Sequence, residues 1–278
     1  REHGSEYDYM ISSEAFSLHT LQGALYAGKK LVIWHELGAH NHMMRKVPSL
    51  LWYNFVVRLF MGKIPIIPRS EEAAEFIGRY SSNVLPVRID HGVDLDKTGY
   101  SRKKENYFVV LSQLVERKRI DRILVRFSAF CRRDREKKYQ LKIIGEGPLR
   151  QKLEQQAREL GEEENILFLG KQSHESLMPV LGRAKALLVN TAKDNSMVSI
   201  VESIAAGTPV ITTPVPFNAS YIRKFDLGIV ESEWGVDELN EICVHNERYV
   251  DNCIRYRDRL GNGYLAGQFN QVGGRLFQ

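Results

Sequence analysis

The chain has 278 residues, 43% of them hydrophobic and 26% charged, a globular composition that excludes wholesale disorder, collagen and coiled coil. One large or two modest domains are expected at this length, and such a chain can bury a core without disulfide or metal staples. The net charge of +5 is mild and fits an anionic ligand or a membrane surface.

The cysteine content and the hydropathy of the sequence indicate the cellular compartment. The three cysteines, Cys131, Cys243 and Cys253, are odd in number and widely spaced, which argues against a disulfide framework. No apolar run approaches the roughly 20 residues of a membrane span. We therefore expect a cytoplasmic location, with peripheral contact at the inner face of the membrane left open. The basic runs are not interleaved with aromatic residues, so no nucleic-acid partner is expected.

In the first hundred residues, short β-rich runs alternate with helical stretches, which is typical of a parallel α/β sheet. The predicted strands are Tyr9–Ser12, Lys30–Trp34, Ile64–Pro68 and Val84–Arg88. The predicted helices are Leu18–Ala27, Pro48–Met61 and Glu71–Tyr80, the last with Ser70 as its N-cap.

The stretch Val47–Met61 has two interpretations. It mixes aromatic residues with flanking arginines and lysines, so it can be an interfacial helix on a membrane surface. The alternative is a buried helix whose Asn54 and Arg58, four residues apart, share its one polar face.

A domain boundary is predicted after the turn-like segment Asp90–Asp94, where polar residues follow. We assign residues 1–96 to a first domain and 97–262 to a second, and expect residues 263–278 to return to the first domain. The second domain has six predicted strands, enough for a complete Rossmann-type sheet: Tyr107–Leu111, Leu141–Ile144, Ile166–Leu169, Ala186–Asn190, Pro209–Thr212 and Gly228–Val230. Its predicted helices are Arg119–Arg132, Pro148–Leu160, His174–Gly182 and Ser196–Ala206.

A first candidate site is the run Gly145-Glu146-Gly147-Pro148, which follows a strand and opens a helix. Its two glycines allow close backbone approach, and the helix N-terminus presents N–H groups to an anion or a polar base edge. It lacks the third glycine of a dinucleotide fingerprint and the Gly-Lys-Ser/Thr of a P-loop. A tight strand-to-helix turn is the alternative.

A stronger candidate site follows the strand predicted at Ala186–Asn190, where a polar loop leads into a helix. Asp194 would lie before that helix and Glu202 two turns into it, towards the same crevice. Carboxylates so placed suit sugar hydroxyls, because a carboxylate accepts two hydrogen bonds. The amides of residues 195–198 would be offered to phosphate. For Asp194 alone, a helix N-cap is the alternative.

Four blocks occur in order: Val109–Asp121, Gly145–Pro148, Leu167–Gly170 and Asp194–Ile211. Together they resemble the C-terminal domain of glycosyltransferase family 4, the retaining GT-B group also described as glycosyl transferases group 1. The resemblance covers residues 107–231 well and 1–100 more loosely. It implies an α/β protein with two Rossmann-like domains of the GT-B type, the second a complete parallel sheet. The first is expected to be incomplete, lacking its N-terminal start.

The resemblance also implies roles for single residues. Lys118 would bind the donor diphosphate, Asp194 would contact the donor sugar and Glu202 would hold the ribose hydroxyls. His35 resembles the strand-end histidine that faces the sugar; a satisfied strand-end histidine is the alternative. Residues implied to cap the phosphates are Asn195, Ser196, Met197, Val198 and Ser199, and those near the base are Gly145, Glu146, Gly147, Lys171 and Gln172.

Three departures from the family pattern stand out. Gln113 takes a donor-binding position where many members have an arginine that grips the diphosphate, and Arg117 or Arg119 can compensate for the lost charge. Asp194 replaces the commoner glutamate, and His91 replaces the asparagine of the usual Asn-Gly-Val-Asp turn. His40 and His42 do not have zinc-ligand spacing with His35, so neither a metal nor another cofactor is expected.

These observations predict a metal-independent retaining glycosyltransferase. It would move a sugar from a nucleotide diphosphate sugar to a saccharide or lipid-linked acceptor in cell-surface polysaccharide synthesis. A GT-B sugar-nucleotide epimerase and a non-catalytic nucleotide-sugar-binding fragment are the alternatives. Acceptor-dependent release of free nucleotide separates transfer from mere binding, and an epimerised donor would identify an epimerase.

Overall fold

The computed structural model describes residues 7–26, 30–38, 46–133, 136 and 138–277. The chain divides into two compact units, one formed by residues 1–91 with 263–278 and the other by residues 92–262. Each unit contains a parallel sheet, of three strands in the first and six in the second. The predicted fold class, an α/β protein with two Rossmann-like parts of which the second is complete, is confirmed.

The units divide between His91 and Gly92, five residues before the predicted boundary. The reason is that Val93 pairs with the end of the second unit: its amide donates to the Leu260 carbonyl (2.9 Å), and its carbonyl accepts from the Asn262 amide (3.0 Å). Backbone pairing therefore holds residues 92–96 in the second unit.

The sheet of the first unit has the order β1-β2-β3, with β1 at Met10–Ser13, β2 at Leu31–His35 and β3 at Ile66–Pro68. Helix α1 spans Leu18–Tyr26 and α3 spans Glu71–Ile77, the latter capped by Ser70 as predicted. The predicted strand Val84–Arg88 is wrong, since it contributes only a bridge between Ile66 and Val84. Pro86 has no N–H to donate, which ends the pairing there.

The segment between β2 and β3 is a composite helix. It starts as α2 at Lys46–Leu51 and continues as a π-helix over Trp52–Met61, so the helix begins two residues before the predicted start at Pro48. Tyr53, Val57 and Met61 are buried against β2, β3 and α3. Neither interpretation of this segment holds for all of it, because one side is core and another apolar side is exposed.

Residues 263–277 lie in α11, Asn262–Phe277, and belong to the first unit, as predicted for this segment. Phe269 contacts the Trp34 ring edge to face at 5.4 Å, and the Tyr9 hydroxyl donates to Asn270 at 2.9 Å. A Cβ atom at Gly273 would come 2.3 Å from the Tyr9 ring, so a glycine is needed at this crossing.

The sheet of the second unit has the order β6-β5-β4-β7-β8-β9, and all its pairs are parallel. Its strands are Tyr107–Leu111 (β4), Gln140–Ile144 (β5), Ile166–Gly170 (β6), Leu187–Leu188 (β7), Val210–Thr212 (β8) and Gly228–Val230 (β9). The helices are Ile120–Arg133 (α4), Arg150–Glu159 (α5), His174–Arg183 (α6), Val198–Ala205 (α7), Asn218–Phe225 (α8), Val236–Val244 (α9) and Asn246–Tyr256 (α10). Two apolar clusters bury the sheet, as expected for parallel strands.

Two short 3₁₀ segments complete the second unit, at Glu116–Lys118 and Arg257–Leu260. No element is predicted from the sequence between Val230 and residue 263, where the structure has α9 and α10. Among the described residues, no helix has both the length and the hydropathy that crossing a bilayer requires.

Candidate functional site

The candidate site lies where the sheet of the second unit reverses its winding. Strands β4 and β7 are neighbours, but the chain leaves β4 towards β5 on one side and β7 towards β8 on the other. In open parallel sheets the carboxyl ends of strands at such a switch point form the ligand-binding crevice. The loops that begin here, Ser112–Arg119 and Val189–Met197, contain the predicted diphosphate lysine and the first predicted acid.

Lys118 and Asp194 form an ion pair between these two loops, with Lys118 Nζ 2.8 Å from Asp194 Oδ2. Their side chains are 11% and 13% exposed, so the pair is largely shielded from water. The Thr191 hydroxyl donates to the same Oδ2 at 2.5 Å, and the Arg117 guanidinium donates to Oδ1. Burial lowers the pKa of Lys118, and the charge of Asp194 partly opposes that effect. The arrangement holds two cations around one carboxylate.

The backbone of the 3₁₀ turn positions these cations. The Arg117 carbonyl accepts from the Ala192 amide at 2.8 Å, which ties the turn to the loop after β7. Arg119 closes the turn with φ of 47°, in the left-handed region where a non-glycine residue is uncommon. The Arg117 guanidinium reaches Asp194, and the Gln113 side chain is exposed; the donor-binding role of Gln113 stays a prediction.

The helix that follows β7 starts later than predicted. Helix α7 begins at Val198 rather than Ser196, and the amide of Met197, the residue before it, donates to Asn218 Oδ1 (2.7 Å). The Phe217 amide also donates to the Asn195 carbonyl (2.7 Å). Asn218 therefore engages one of the predicted phosphate-facing amides, that of Met197, and the first helical turn begins at Val198. The role of residues 195–199 at the phosphates stays a prediction.

Glu202 lies one turn into α7 and is partly buried. Burial raises its pKa, and the nearby His174 of α6 lowers it by a smaller amount. A carboxyl group in this environment gains a large benefit from hydroxyl donors, because its ionised form is poorly solvated.

The Gly145-Glu146-Gly147 turn packs directly on the loop after β4. Gly145 has φ of +135°, and a Cβ atom there would come 1.9 Å from the Ser112 carbonyl oxygen. A Cβ atom at Gly147 would come 2.4 Å from the Leu114 carbonyl oxygen, and the Leu114 amide donates to the Glu146 carbonyl at 3.0 Å. Close packing of two backbones explains both glycines, which agrees with the tight-turn alternative and places the turn beside the site.

The next strand end carries Lys171 and Gln172. Gly170 has φ of +68°, and its carbonyl accepts from the Gly145 amide at 2.9 Å, so this turn adjoins the Gly145 turn. Lys171 is exposed, and the Gln172 side chain donates to the Leu169 carbonyl at 2.7 Å. The role of both residues near a base stays a prediction.

His35 belongs to the first unit, where it ends β2 and is fully buried. Its Nδ1 lies 3.0 Å from Glu14 Oε2, and the Nε2 atom is buried with no hydrogen-bond partner among the described residues. Glu14, at φ of 70°, also accepts from the amides of Glu36 (2.9 Å) and Leu37 (3.3 Å). The catalytic role of His35 stays a prediction; His40 and His42 lie outside the described residues.

Two partners of the predicted residues were missed: Glu14 beside His35 and Thr191 beside Asp194. Glu14 directly follows β1, and strand-end position was the signal that could have identified it. In the part of the chain that the structure describes, no group of three or more histidine, cysteine or acidic residues could hold a metal ion.

A family model described as "Glycosyl transferases group 1" matches residues 95–242. The alpha-monoglucosyldiacylglycerol synthase of Streptococcus pneumoniae (strain ATCC BAA-255 / R6) is 24% identical over 247 residues, which cover 78% of this chain and 55% of that protein. The chain thus spans about half the length of this curated relative.

Solved structures show the same fold. The Anabaena protein Alr3699/HepE in complex with UDP superimposes with a TM-score of 0.74 at 14% identity, covering 98% of this chain and 79% of that one. An S. aureus TarM variant in complex with fondaparinux, alpha-GlcNAc-glycerol and UDP gives 0.71 at 13% identity, covering 96% and 56%. Sucrose-phosphate synthase from Thermosynechococcus elongatus gives 0.72 at 16% identity, covering 99% and 75%.

Proposed function

Because this chain belongs to the glycosyl transferases group 1 family, we propose that it is a retaining glycosyltransferase. It moves a sugar from a nucleotide diphosphate sugar to a saccharide or lipid-linked acceptor, in cell-surface polysaccharide synthesis. The observation that carries this proposal is the shielded Lys118–Asp194 pair, with Arg117 beside it, at the switch point of a complete parallel sheet.

The chemistry that this site supports is stabilisation of the leaving group. As the bond between sugar and diphosphate breaks, negative charge develops on the diphosphate, and Lys118 with the first-turn amides of α7 would neutralise it. Preorganised donors in a water-poor site are effective because they need no reorganisation during the reaction. No step in this scheme uses a divalent metal. Retention of configuration by front-face attack rests on the family resemblance.

The donor would be held along four neighbouring strand ends, those of β6, β5, β4 and β7. Glu202 accepts the ribose hydroxyls, and its partly buried position supports this role because two hydroxyl donors would compensate its desolvation. The turns at Gly145 and Gly170, which touch each other, flank the base. Asp194 contacts the donor sugar once the diphosphate has taken over its cations.

The acceptor class is supported by the relatives. The Streptococcus pneumoniae relative is named for a glucosylated diacylglycerol, and the TarM variant contains alpha-GlcNAc-glycerol. Both are consistent with an acceptor that carries a lipid or a glycerol-linked saccharide.

The first experiment is a thermal-shift panel with UDP-, GDP- and ADP-sugars, each with magnesium and with EDTA. A ligand at about 100 times its Kd adds about 2.7 kcal/mol to the free energy of unfolding, which is easily detected. We expect one base to stabilise the protein equally in both buffers. A loss of more than about tenfold in affinity with EDTA would contradict metal-independent binding.

A second experiment separates transfer from mere binding. Nucleotide release is measured with and without candidate acceptors, and Lys118→Ala is compared with wild type. We expect acceptor-dependent release in wild type and a loss on the order of 10²-fold in Lys118→Ala, similar to loss of a transition-state donor. Binding without release would favour the non-catalytic module instead.

A further inference from the structure

One asparagine side chain, that of Asn218, joins the start of α8 to the loop that precedes α7. It is fully buried, its Oδ1 accepts from the Met197 amide at 2.7 Å, and its Nδ2 donates to the Ser196 hydroxyl at 3.1 Å. The same Nδ2 donates to the Tyr221 hydroxyl at 2.7 Å, three residues further along α8. A single buried side chain therefore holds two consecutive residues of the loop.

Two other hydrogen bonds tie the same loop to the segment that follows β8. The Thr213 hydroxyl donates to the Thr191 carbonyl at 3.1 Å, and the Phe217 amide donates to the Asn195 carbonyl at 2.7 Å. Asp194, the carboxylate of the ion pair at the candidate site, lies in the chain between these two bonds. With the asparagine side chain, the loop is thus held at three points by one neighbouring segment.

The residue at the N-cap of α7, Met197, has no polar side chain. A serine, threonine, aspartate or asparagine at an N-cap usually accepts from an amide of the first helical turn. Met197 makes no such bond, and in the described part of the chain the amides of Val198 and Ser199 have no hydrogen-bond partner. Asn218 instead holds Met197 from outside the helix, so the loop is fixed while these two amides stay open to a ligand.

The asparagine side chain is itself held in place by aromatic packing. Tyr221, to which Asn218 donates, stacks on Tyr256 of α10 with ring centroids 5.6 Å apart and planes inclined by 17°. Donors that are fixed before an anion arrives need no reorganisation when charge develops on it. A displacement of about 1 Å in such a group can lower the rate on the order of 10²-fold.

We propose that Asn218 is a positioning residue for the distal phosphate of the donor. It holds Met197 so that the amides of Val198 and Ser199 face the phosphate from which the sugar departs. It thereby sets the preference of the site for a nucleoside diphosphate over a monophosphate. Because Asn218 is fully buried, it acts through the loop and contacts neither phosphate nor sugar. This inference rests on the proposed function and adds a residue to it.

The test is isothermal titration of UDP and of UMP into the full chain, as wild type and as Asn218→Ala. The alanine has no acceptor for the Met197 amide, so the start of α7 is no longer fixed. We expect Asn218→Ala to bind UDP on the order of tenfold more weakly than wild type does. UMP lacks the distal phosphate, so we expect the variant to bind it nearly as wild type does.

A second buried asparagine of the same unit provides the matched control. Asn246 is 6% exposed, and its Nδ2 donates to the carbonyls of Lys185 (2.8 Å) and Ile242 (3.1 Å). Melting curves should show that Asn246→Ala and Asn218→Ala both lose stability, because each removes a buried amide. Asn246→Ala should nevertheless keep the wild-type ratio of UDP to UMP affinity.

A milder variant covers the case in which Asn218→Ala does not fold. Asn218→Ser keeps a hydroxyl in the site, but its side chain is too short to reach the Met197 amide. We expect the same selective loss of UDP affinity.

Three results would overturn the proposal. The folded Asn218 variant can bind UDP as wild type does, it can lose UDP and UMP affinity equally, or Asn246→Ala can change the ratio of the two affinities in the same way. In each case wild type still binds UDP, so the proposed function stands while the role of Asn218 fails. A wild-type protein that binds no nucleoside diphosphate would refute both.

Discussion

Replacing Asp194 with asparagine should have opposite effects on stability and on nucleotide affinity. The amide is nearly isosteric but has no charge, and it retains one acceptor for Lys118, Arg117 and Thr191, which all donate to Asp194 now. In the ligand-free protein Lys118 would keep its buried position without its counter-ion.

The loss of stability follows from burial. Removing one partner of a buried ion pair costs about 3–5 kcal/mol, and we expect the lower end because Arg117, the second cation at this carboxylate, is partly exposed. For a unit of this size, about 2–4 °C in Tm accompanies each kcal/mol, so Tm should fall by about 6–12 °C. Asp237→Asn is the matched control, since Asp237 pairs with Arg133 at 2.9 Å on an exposed surface. Its Tm should not change.

UDP should bind the Asp194→Asn variant more tightly. The Asp194 carboxylate competes with a diphosphate for the same two cations, and a unit charge at about 6 Å in an effective dielectric of about 20 contributes about 3 kcal/mol. Screening by salt leaves about half of this energy, which corresponds to a tenfold lower Kd. Turnover should fall nevertheless, because the variant loses the predicted contact of Asp194 with the donor sugar. UDP has no sugar, so its affinity does not report that contact.

The assay is isothermal titration of UDP into wild type, Asp194→Asn and Asp237→Asn at low salt, repeated at high salt. The titrations are run at about pH 6.5 so that Lys118, whose pKa is lowered by burial, stays charged. An unchanged or weaker UDP affinity in Asp194→Asn would refute the reasoning that this carboxylate occupies the diphosphate cations.

Three other predictions concern single residues. Burial raises the pKa of Glu202, so the contribution of its carboxyl group to folding stability is present at low pH and lost as pH rises through that pKa, whereas UDP affinity should fall as pH drops. In titration calorimetry, Glu202→Gln should remove the pH dependence of UDP affinity and bind UDP ten- to hundredfold more weakly at neutral pH, but it should bind a 2′,3′-dideoxy ligand as wild type does. Gly145→Ala should lower the Tm of the second unit sharply, because its Cβ would lie 1.9 Å from the Ser112 carbonyl oxygen, whereas Gly99→Ala, with no atom within 4 Å, should not. Burial lowers the pKa of Lys104 to about 7, so the unfolded state binds more protons above that pH; urea unfolding should show stability rising with pH between 7 and about 10, and Lys104→Met should abolish the slope.

Much of the second unit could be predicted from local pattern. The strands Tyr107–Leu111 and Gly228–Val230 are predicted with their observed bounds. Short apolar runs between turn residues are typical of the buried strands of a parallel sheet. The strand at Ala186–Asn190 was predicted too long, since its last residues leave the sheet to form the site. Val84–Arg88 was predicted from its β-branched residues, and Pro86 prevented the ladder.

The candidate site shows where local pattern stops being sufficient. The sequence itself placed Lys118 after one strand and Asp194 after another, on the ordered motifs of a known family. Neither motif alone brings them within 2.8 Å across 76 residues, because that contact requires β4 and β7 to be neighbours. The same adjacency adds Arg117 to the carboxylate, and the choice between Arg117 and Arg119 depended on it.

The packing of the composite helix also depends on both the sequence and the tertiary structure. The sequence by itself determined that residues 48–61 are helical and that the segment is apolar with basic residues in and around it. Only the tertiary structure decided which apolar row is buried, because rows that start at Val47 and at Ser49 are both compatible with a helix. The neighbouring strands β2 and β3 and helix α3 cover the row of Tyr53, Val57 and Met61 and leave the row of Leu51, Phe55 and Leu59 in solvent. Hydrophobicity is a property of each residue, whereas burial depends on which partner the fold brings to it.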